Sequence, residues 1–241
     1  MDRKNFLQTS IGALATPALL ASSPPPETIA GVTVPATDLS LAATSLAKGA
    51  LPPEIFNHCL RTFVFAELIA RAKSWEDHDP EVVYVASILH DTGLSPTHMS
   101  ERERFEVDGA HAAAQLMQQY GVAPARQELV WDAITLHDNG GLARWKAREV
   151  ALVNAGVGAD FGSSLDLLAK SDVEAVLRAA PRVGFIDAFL PAVAEVAKRK
   201  PFATGTCFVT DVAYRMVPGF HLDNFCDEVR DDPFKSYVSR A

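Results

Sequence analysis

The sequence predicts an all-α protein, a single helical bundle. Apolar residues recur at three- and four-residue spacing in segment after segment, the mark of amphipathic or buried helices. No stretch shows a convincing period-2 alternation, and there is no internal repeat or low-complexity tract. The composition, 241 residues with 48% hydrophobic and 22% charged, is that of one ordinary globular domain with enough apolar material for a real core.

Residues 1–30 read as a leader rather than as part of that core. Arg3-Lys4-Asn5-Phe6-Leu7 precedes a modest apolar run, Ile11 to Ala21, and then Pro24-Pro25-Pro26. This is the order of a secretory signal, and the apolar run is far short of the roughly 20 residues a membrane span needs. It resembles a bacterial twin-arginine export signal with Lys4 in place of the second arginine, which implies a periplasmic destination; a disordered leader on a cytoplasmic protein is the alternative. Thr28-Ile29-Ala30 is a candidate cleavage region.

Residues 31–51 read as a linker holding a short helix, Leu39 to Lys48, and residues 52–241 as the domain with a helical C-terminal extension. Pro52-Pro53 opens the first long helix, Glu54 to Ser74, because proline is tolerated in a first turn. A second buried helix ends at His90-Asp91, with Gly93 as its terminator. Asp108 reads as the N-cap of a helix that runs to Tyr120 and stops at Gly121. Further helices are expected over Pro124 to His137, Trp145 to Gly156, Asp172 to Ala180, Ile186 to Arg199, Thr206 to Val217 and His221 to Val229. Asn139-Gly140-Gly141 reads as a turn.

Charge narrows the partners. The formal net charge is -8, and the longest basic run is Lys198-Arg199-Lys200, which argues against a nucleic-acid or anionic-membrane surface. A small-molecule substrate is the remaining class, and nothing fixes the oligomeric state. Cys59, Cys207 and Cys226 are too few and too scattered for a disulfide framework or a thiolate metal site. One disulfide is possible.

The chemistry sits in polar residues embedded in apolar helices: His58, His90-Asp91, His111, His137 and Asp160. An imidazole beside a carboxylate in a buried helix end needs a partner, because an unpaired buried charge costs several kcal/mol or takes up a proton. A divalent metal satisfies both, and these nitrogen and oxygen donors suit zinc, iron or manganese. His58, His90, Asp91 and Asp160 would form one four-ligand cage; adding His111 and His137 would allow a second ion bridged by Asp91. Asp138, Asp166 and Asp172 compete with Asp160. Taken singly, each histidine is more simply a structural one. Arg61, one turn from His58, is placed to grip a carboxylate with two hydrogen bonds. His78, His98 and His221 read as solvent-exposed, and Trp131 and Trp145 as core or pocket wall.

The ordered set H…HD…H…H…D on successive helices resembles the HD-domain superfamily of metal-dependent enzymes. Four stretches are similar to its cyanamide hydratase-like branch: His58-Cys59-Leu60-Arg61-Thr62-Phe63, Ile88-Leu89-His90-Asp91-Thr92-Gly93, Arg104-Phe105-Glu106-Val107-Asp108-Gly109-Ala110, and the tail Asn224-Phe225 through Asp232-Pro233-Phe234. The resemblance implies that His58, His90, Asp91 and Asp160 are metal ligands. It also implies hydration or hydrolysis of a small cyanamide- or nitrile-like molecule, by hydroxide that the metal generates from water. Asp91 or His137 would move the proton. His111 stands where a non-ligating residue is expected in that branch, and so points to a dinuclear phosphohydrolase or diiron oxygenase as the alternative. A non-catalytic binding module on the same fold is the third reading.

Overall fold

Helix α2 (Pro53–Ala72) is apolar on nearly every side, and much of the described chain packs around it. In the computed structural model, which describes residues 27–205 and 207–222, α2 buries Ile55, Cys59, Phe63, Val64 and Ile69 together with His58, Arg61 and Thr62. Pro53 occupies its first turn, where a missing N–H costs nothing. Its main neighbour is α7 (Arg148–Asp160). The two backbones touch at Gly156, where a Cβ would lie 2.2 Å from the Thr62 carbonyl oxygen. That contact delivers Asp160, one turn further along α7, to His58 and Arg61.

Helix α3 (Pro80–Leu89) packs against α2 and is capped by Asp79, whose side chain accepts from the backbone N–H of Glu81 and Val82 at 3.0 and 3.2 Å. It ends at His90, and Thr92–Leu94 continue as a 3-10 turn. Helix α4 (Phe105–Gln119) lies across that turn, α5 (Pro124–Thr135) packs on α3, α4 and α7, and α6 (Gly140–Ala143) is a single turn before α7. Helices α8 (Lys170–Ala179) and α9 (Phe185–Arg199) pack on α2, and α10 (Phe208–Met216) packs on α9. The architecture is all-α, with one small exception.

The exception is a hairpin that periodicity could not reveal. Strands β1 (Thr28–Ile29) and β2 (Val32–Thr33) pair antiparallel around Ala30 and Gly31, both at positive φ. Strands of two residues are too short to alternate. Ile29 and Val32 join the core, so the boundary expected at Ala30 runs through a packed hairpin. The following segment is packed too: α1 (Asp38–Ala50) buries Leu39, Ala43 and Ala47 against α3 and is capped by Thr37, which accepts from Ser40 N at 3.1 Å. The leader through Pro26, the helix expected beyond Leu222, Cys226 and the tail motif lie outside the described residues.

Other local expectations are corrected by tertiary contacts. Gly93 does not end α3 by adopting positive φ; it lies within the 3-10 turn, where a Cβ would stand 1.9 Å from the Phe105 carbonyl oxygen. Gly109 answers it from α4, its missing Cβ 3.0 Å from the His90 carbonyl oxygen. The two glycines let α4 press against the end of α3. Asp108 is not an N-cap either: α4 begins at Phe105, and Asp108 is buried, accepting from Lys200 Nζ at 2.6 Å and from Ser100 N at 3.0 Å. Lys200 is therefore an interior residue, although it closes the chain's longest basic run. His78 is half-buried and hydrogen-bonded to Glu67 at 2.9 Å, and Trp145 is 78% exposed. Asn139-Gly140-Gly141 leads into α6 rather than forming a turn. Cys59 and Cys207 are free thiols. Among the described residues, no helix is long and apolar enough to cross a membrane.

Candidate metal centre

Three elements meet at one buried point. Helix α2 supplies His58, the end of α3 supplies His90 and Asp91, and the end of α5 leads to His137; all four are at most 3% exposed. One donor atom each from His58, His90 and Asp91 fall within 4.8 Å of one another.

The hydrogen bonds decide which ring nitrogens are available. Carbonyl and carboxylate oxygens only accept, so the ring nitrogen facing one must carry the proton. His58 Nδ1 donates to Asp160 Oδ2 at 2.7 Å, His90 Nδ1 to the Ser87 carbonyl at 2.7 Å, and His137 Nδ1 to the Ile134 carbonyl at 2.7 Å. In the neutral rings every Nε2 is left with a lone pair. Those of His58 and His90 stand only 3.2 Å apart. Asp91 Oδ2 lies 3.4 Å from His90 Nε2 and 3.7 Å from His58 Nε2, and it has no hydrogen-bond partner despite complete burial. Two facing lone pairs and an orphaned carboxylate oxygen call for a cation between them. The residues fit a divalent metal.

Electrostatics point the same way. Burial alone would raise the Asp91 carboxyl; the charge of His90, with those of His58 and His137 behind, instead holds it well below the usual carboxylate range. Burial alone would lower His90; the Asp91 charge raises it well above the ordinary imidazole value. The same pull acts on any cation in the cage. Burial lowers His58 despite the Asp160 bond, and burial with the nearby His90 lowers His137 to about 4.

Asp160 stands one layer outside. Arg61 holds it with two parallel hydrogen bonds, Nε to Oδ1 at 2.6 Å and Nη2 to Oδ2 at 2.7 Å, while His58 Nδ1 donates a further bond to Oδ2. Burial would raise the Asp160 carboxyl, but Arg61 and His58 bring it well below the usual range. Arg61 is itself wholly buried, its Nη1 donating to the Ala180 and Pro181 carbonyls at 3.2 and 3.0 Å. Asp160 thus orients His58 and fixes its tautomer, and its oxygens are already engaged. His111 does not join the cage. It is exposed on α4, edge-on to Trp131 with ring centroids 4.8 Å apart. Asp138 lines the cavity beside His137, whereas Asp166 and Asp172 do not line it.

His58, His90, Asp91 and His137 open onto a cavity of about 560 Å³, walled by Trp75, Phe161, Phe189 and Phe208. These wall residues carry no sequence signal of their own, because aromatic residues at helical spacing look the same in a core. His137 meets the cage from the side, its ring edge-on to His90 at 4.6 Å between centroids.

A family model described as the HD domain matches residues 55–180, more than half of the chain. Cyanamide hydratase DDI2 and cyanamide hydratase DDI3 of Saccharomyces cerevisiae are each 25% identical to it over 205 residues, which cover 82% of this chain and 89% of each relative. The match takes in His58, His90, Asp91, His137 and Asp160. On its helices, its cage and this match, the chain belongs to the HD-domain family of metal-dependent enzymes, with the cyanamide hydratases among its relatives.

Proposed function

We propose that this enzyme adds water to the carbon–nitrogen triple bond of a nitrile or cyanamide-type molecule. The observation that carries this is the cage itself: two Nε2 lone pairs and the orphaned Asp91 oxygen converge on one point and leave one side open to a cavity. Three protein ligands with an open position are the catalytic, rather than the structural, metal arrangement. A divalent metal held by His58, His90 and Asp91 would lower the pKa of water towards neutrality and polarise the nitrile.

The chain's own residues do the rest. His137 is neutral at pH 7 and has Nε2 free, because its Nδ1–H is committed to Ile134. It accepts the proton that water releases as the oxygen bonds to the nitrile carbon. One π pair of the triple bond moves onto nitrogen, and the same proton is returned there; the imidic acid formed rearranges to the amide. Atoms balance with water as the only co-reactant. Arg61 and Asp160 hold His58 in register, so they position rather than react.

The phosphate reading has less support. Arg61 is spent on Asp160, and the basic side chains on the cavity wall, Lys73 and Arg144, are exposed ones. The dinuclear reading loses the ligand it depended on, since His111 faces away. An export route through the twin-arginine-like leader remains part of the proposal, tested by cell fractionation.

The test is metal content and product together. Protein purified without chelators should carry about one zinc, iron or manganese per chain, and convert cyanamide to urea or nitriles to amides. His137→Ala should keep the metal and lose about 10²–10⁴-fold in rate, the usual range for a general acid–base. Phosphoester cleavage without hydration of any nitrile would overturn the reading.

A further inference from the structure

The cavity is much larger than the reacting group. Its volume of about 560 Å³ lies within the range that holds drug-sized ligands, whereas a bare nitrile needs only a corner of it. Although Lys73, Asp138, Arg144 and Asn154 also reach the cavity, one part of its wall is apolar from the cage outward. Phe189 lies 6.1 Å from the His58 ring, Phe208 stacks beyond Phe189 at 6.0 Å and 17°, and Val212 on α10 follows. Close to Phe189, Phe161 and Ile186 line the same space while 50% and 43% exposed. Large apolar side chains left open to water lose free energy in proportion to their exposed area, and a concave group of them marks a binding site for apolar surface.

From this wall we propose that the substrate carries an aryl or branched-alkyl body. The body would stack along Phe189 and Phe208 and present its reactive end to the cage. The inference rests on the hydration reading only for the identity of that reactive end. It assigns Phe189, Phe208 and Val212 a part in substrate selection.

The test uses binding, so that it stands apart from turnover. Acetohydroxamate and benzohydroxamate carry the same metal-chelating head and differ only in a methyl or a phenyl body. Calorimetric titration of the metal-loaded full chain should show benzohydroxamate at least about tenfold tighter, as burial of an aryl group predicts. Val212→Trp, or Leu190→Trp should the first fail to fold, fills the chamber. It should cancel that advantage, so that the two hydroxamates bind alike. Equal affinities in the parent protein, or binding of neither compound, would overturn the inference.

Hydration is then measured with cyanamide and benzonitrile. A benzohydroxamate preference without hydration of either would sink the hydratase reading and leave the apolar body standing. Hydration of cyanamide with equal hydroxamate affinities would do the reverse.

Discussion

Two clusters in this molecule look alike as lists of side chains and behave in opposite ways. His58, His90 and Asp91 form one; Glu106, Asp138 and Cys207 form the other, again with one donor atom each within 4.8 Å. In the second cluster a cation is already built in. Arg104 reaches both Glu106 oxygens, lies 3.6 Å from Asp138 Oδ2, and donates to the Gly205 carbonyl at 3.0 Å. Cys207 donates its thiol proton to the Thr204 carbonyl at 3.2 Å, and burial pushes that thiol's titration up, which disfavours the thiolate. In the first cluster the basic side chain is one layer back: Arg61 is spent on Asp160, and Asp91 Oδ2 is left with nothing. A buried group of carboxylates and histidines therefore marks a metal site when its acceptors are unsatisfied, and a structural one when an arginine already satisfies them.

The largest test of this contrast is Asp91→Ala. It removes the orphaned oxygen and should abolish metal retention, measured as metal per chain. Hydration should fall by at least about 10³-fold, which corresponds to about 4 kcal/mol of transition-state stabilisation. Retained metal would show that the histidines alone suffice.

Arg104→Met should act on stability rather than chemistry. It leaves Glu106, 1% exposed, without its counter-charge, and should cost about 1–3 kcal/mol in denaturant unfolding. The metal content should stay at the parent level. Loss of metal on this substitution would make the two clusters one site.

The smallest effect is a pH dependence. Burial, with Asp138 nearby, pushes the Glu106 carboxyl up from 4.5 to about 7 in spite of Arg104. The folded chain then holds a proton that the unfolded chain releases between those values, so this group's contribution to stability falls as pH rises through that window. Glu106→Gln cannot lose that proton. Its melting temperature relative to the parent should climb from pH 4.5 to pH 7; a constant difference would place the Glu106 titration back at an ordinary carboxylate value.

Much of the bundle was legible because each helix carries its own signals. The prolines opening α2, α3 and α5 and the buried apolar run before His90-Asp91 are local properties of the chain. The grouping of His58 with His90 and Asp91 was legible too, since each interrupts an apolar face and buried polar groups need partners, whereas His137 was read with His111 as a ligand of a second ion. Asp160 was readable only as a carboxylate near the site: spacing cannot say whether an oxygen meets a metal or an arginine. His111 was misread for a related reason. It lies between buried Ala110 and Ala112, and only the way α4 presses on the end of α3 turns its side chain outward.

The sequence by itself determined that the chain is helical, where most helices run, and which polar side chains had to be brought together, because periodicity and burial act over a few residues. Tertiary structure alone decided that Asp160, held by Arg61, serves His58, that Asp108 meets Lys200, and that aromatic residues from separate helices enclose a cavity instead of filling a core. Each of these depends on helices meeting across distant parts of the chain. The meetings of α3 with α4 and of α2 with α7 are close contacts at Gly93, Gly109 and Gly156, where a single missing Cβ fixes how near two backbones can come.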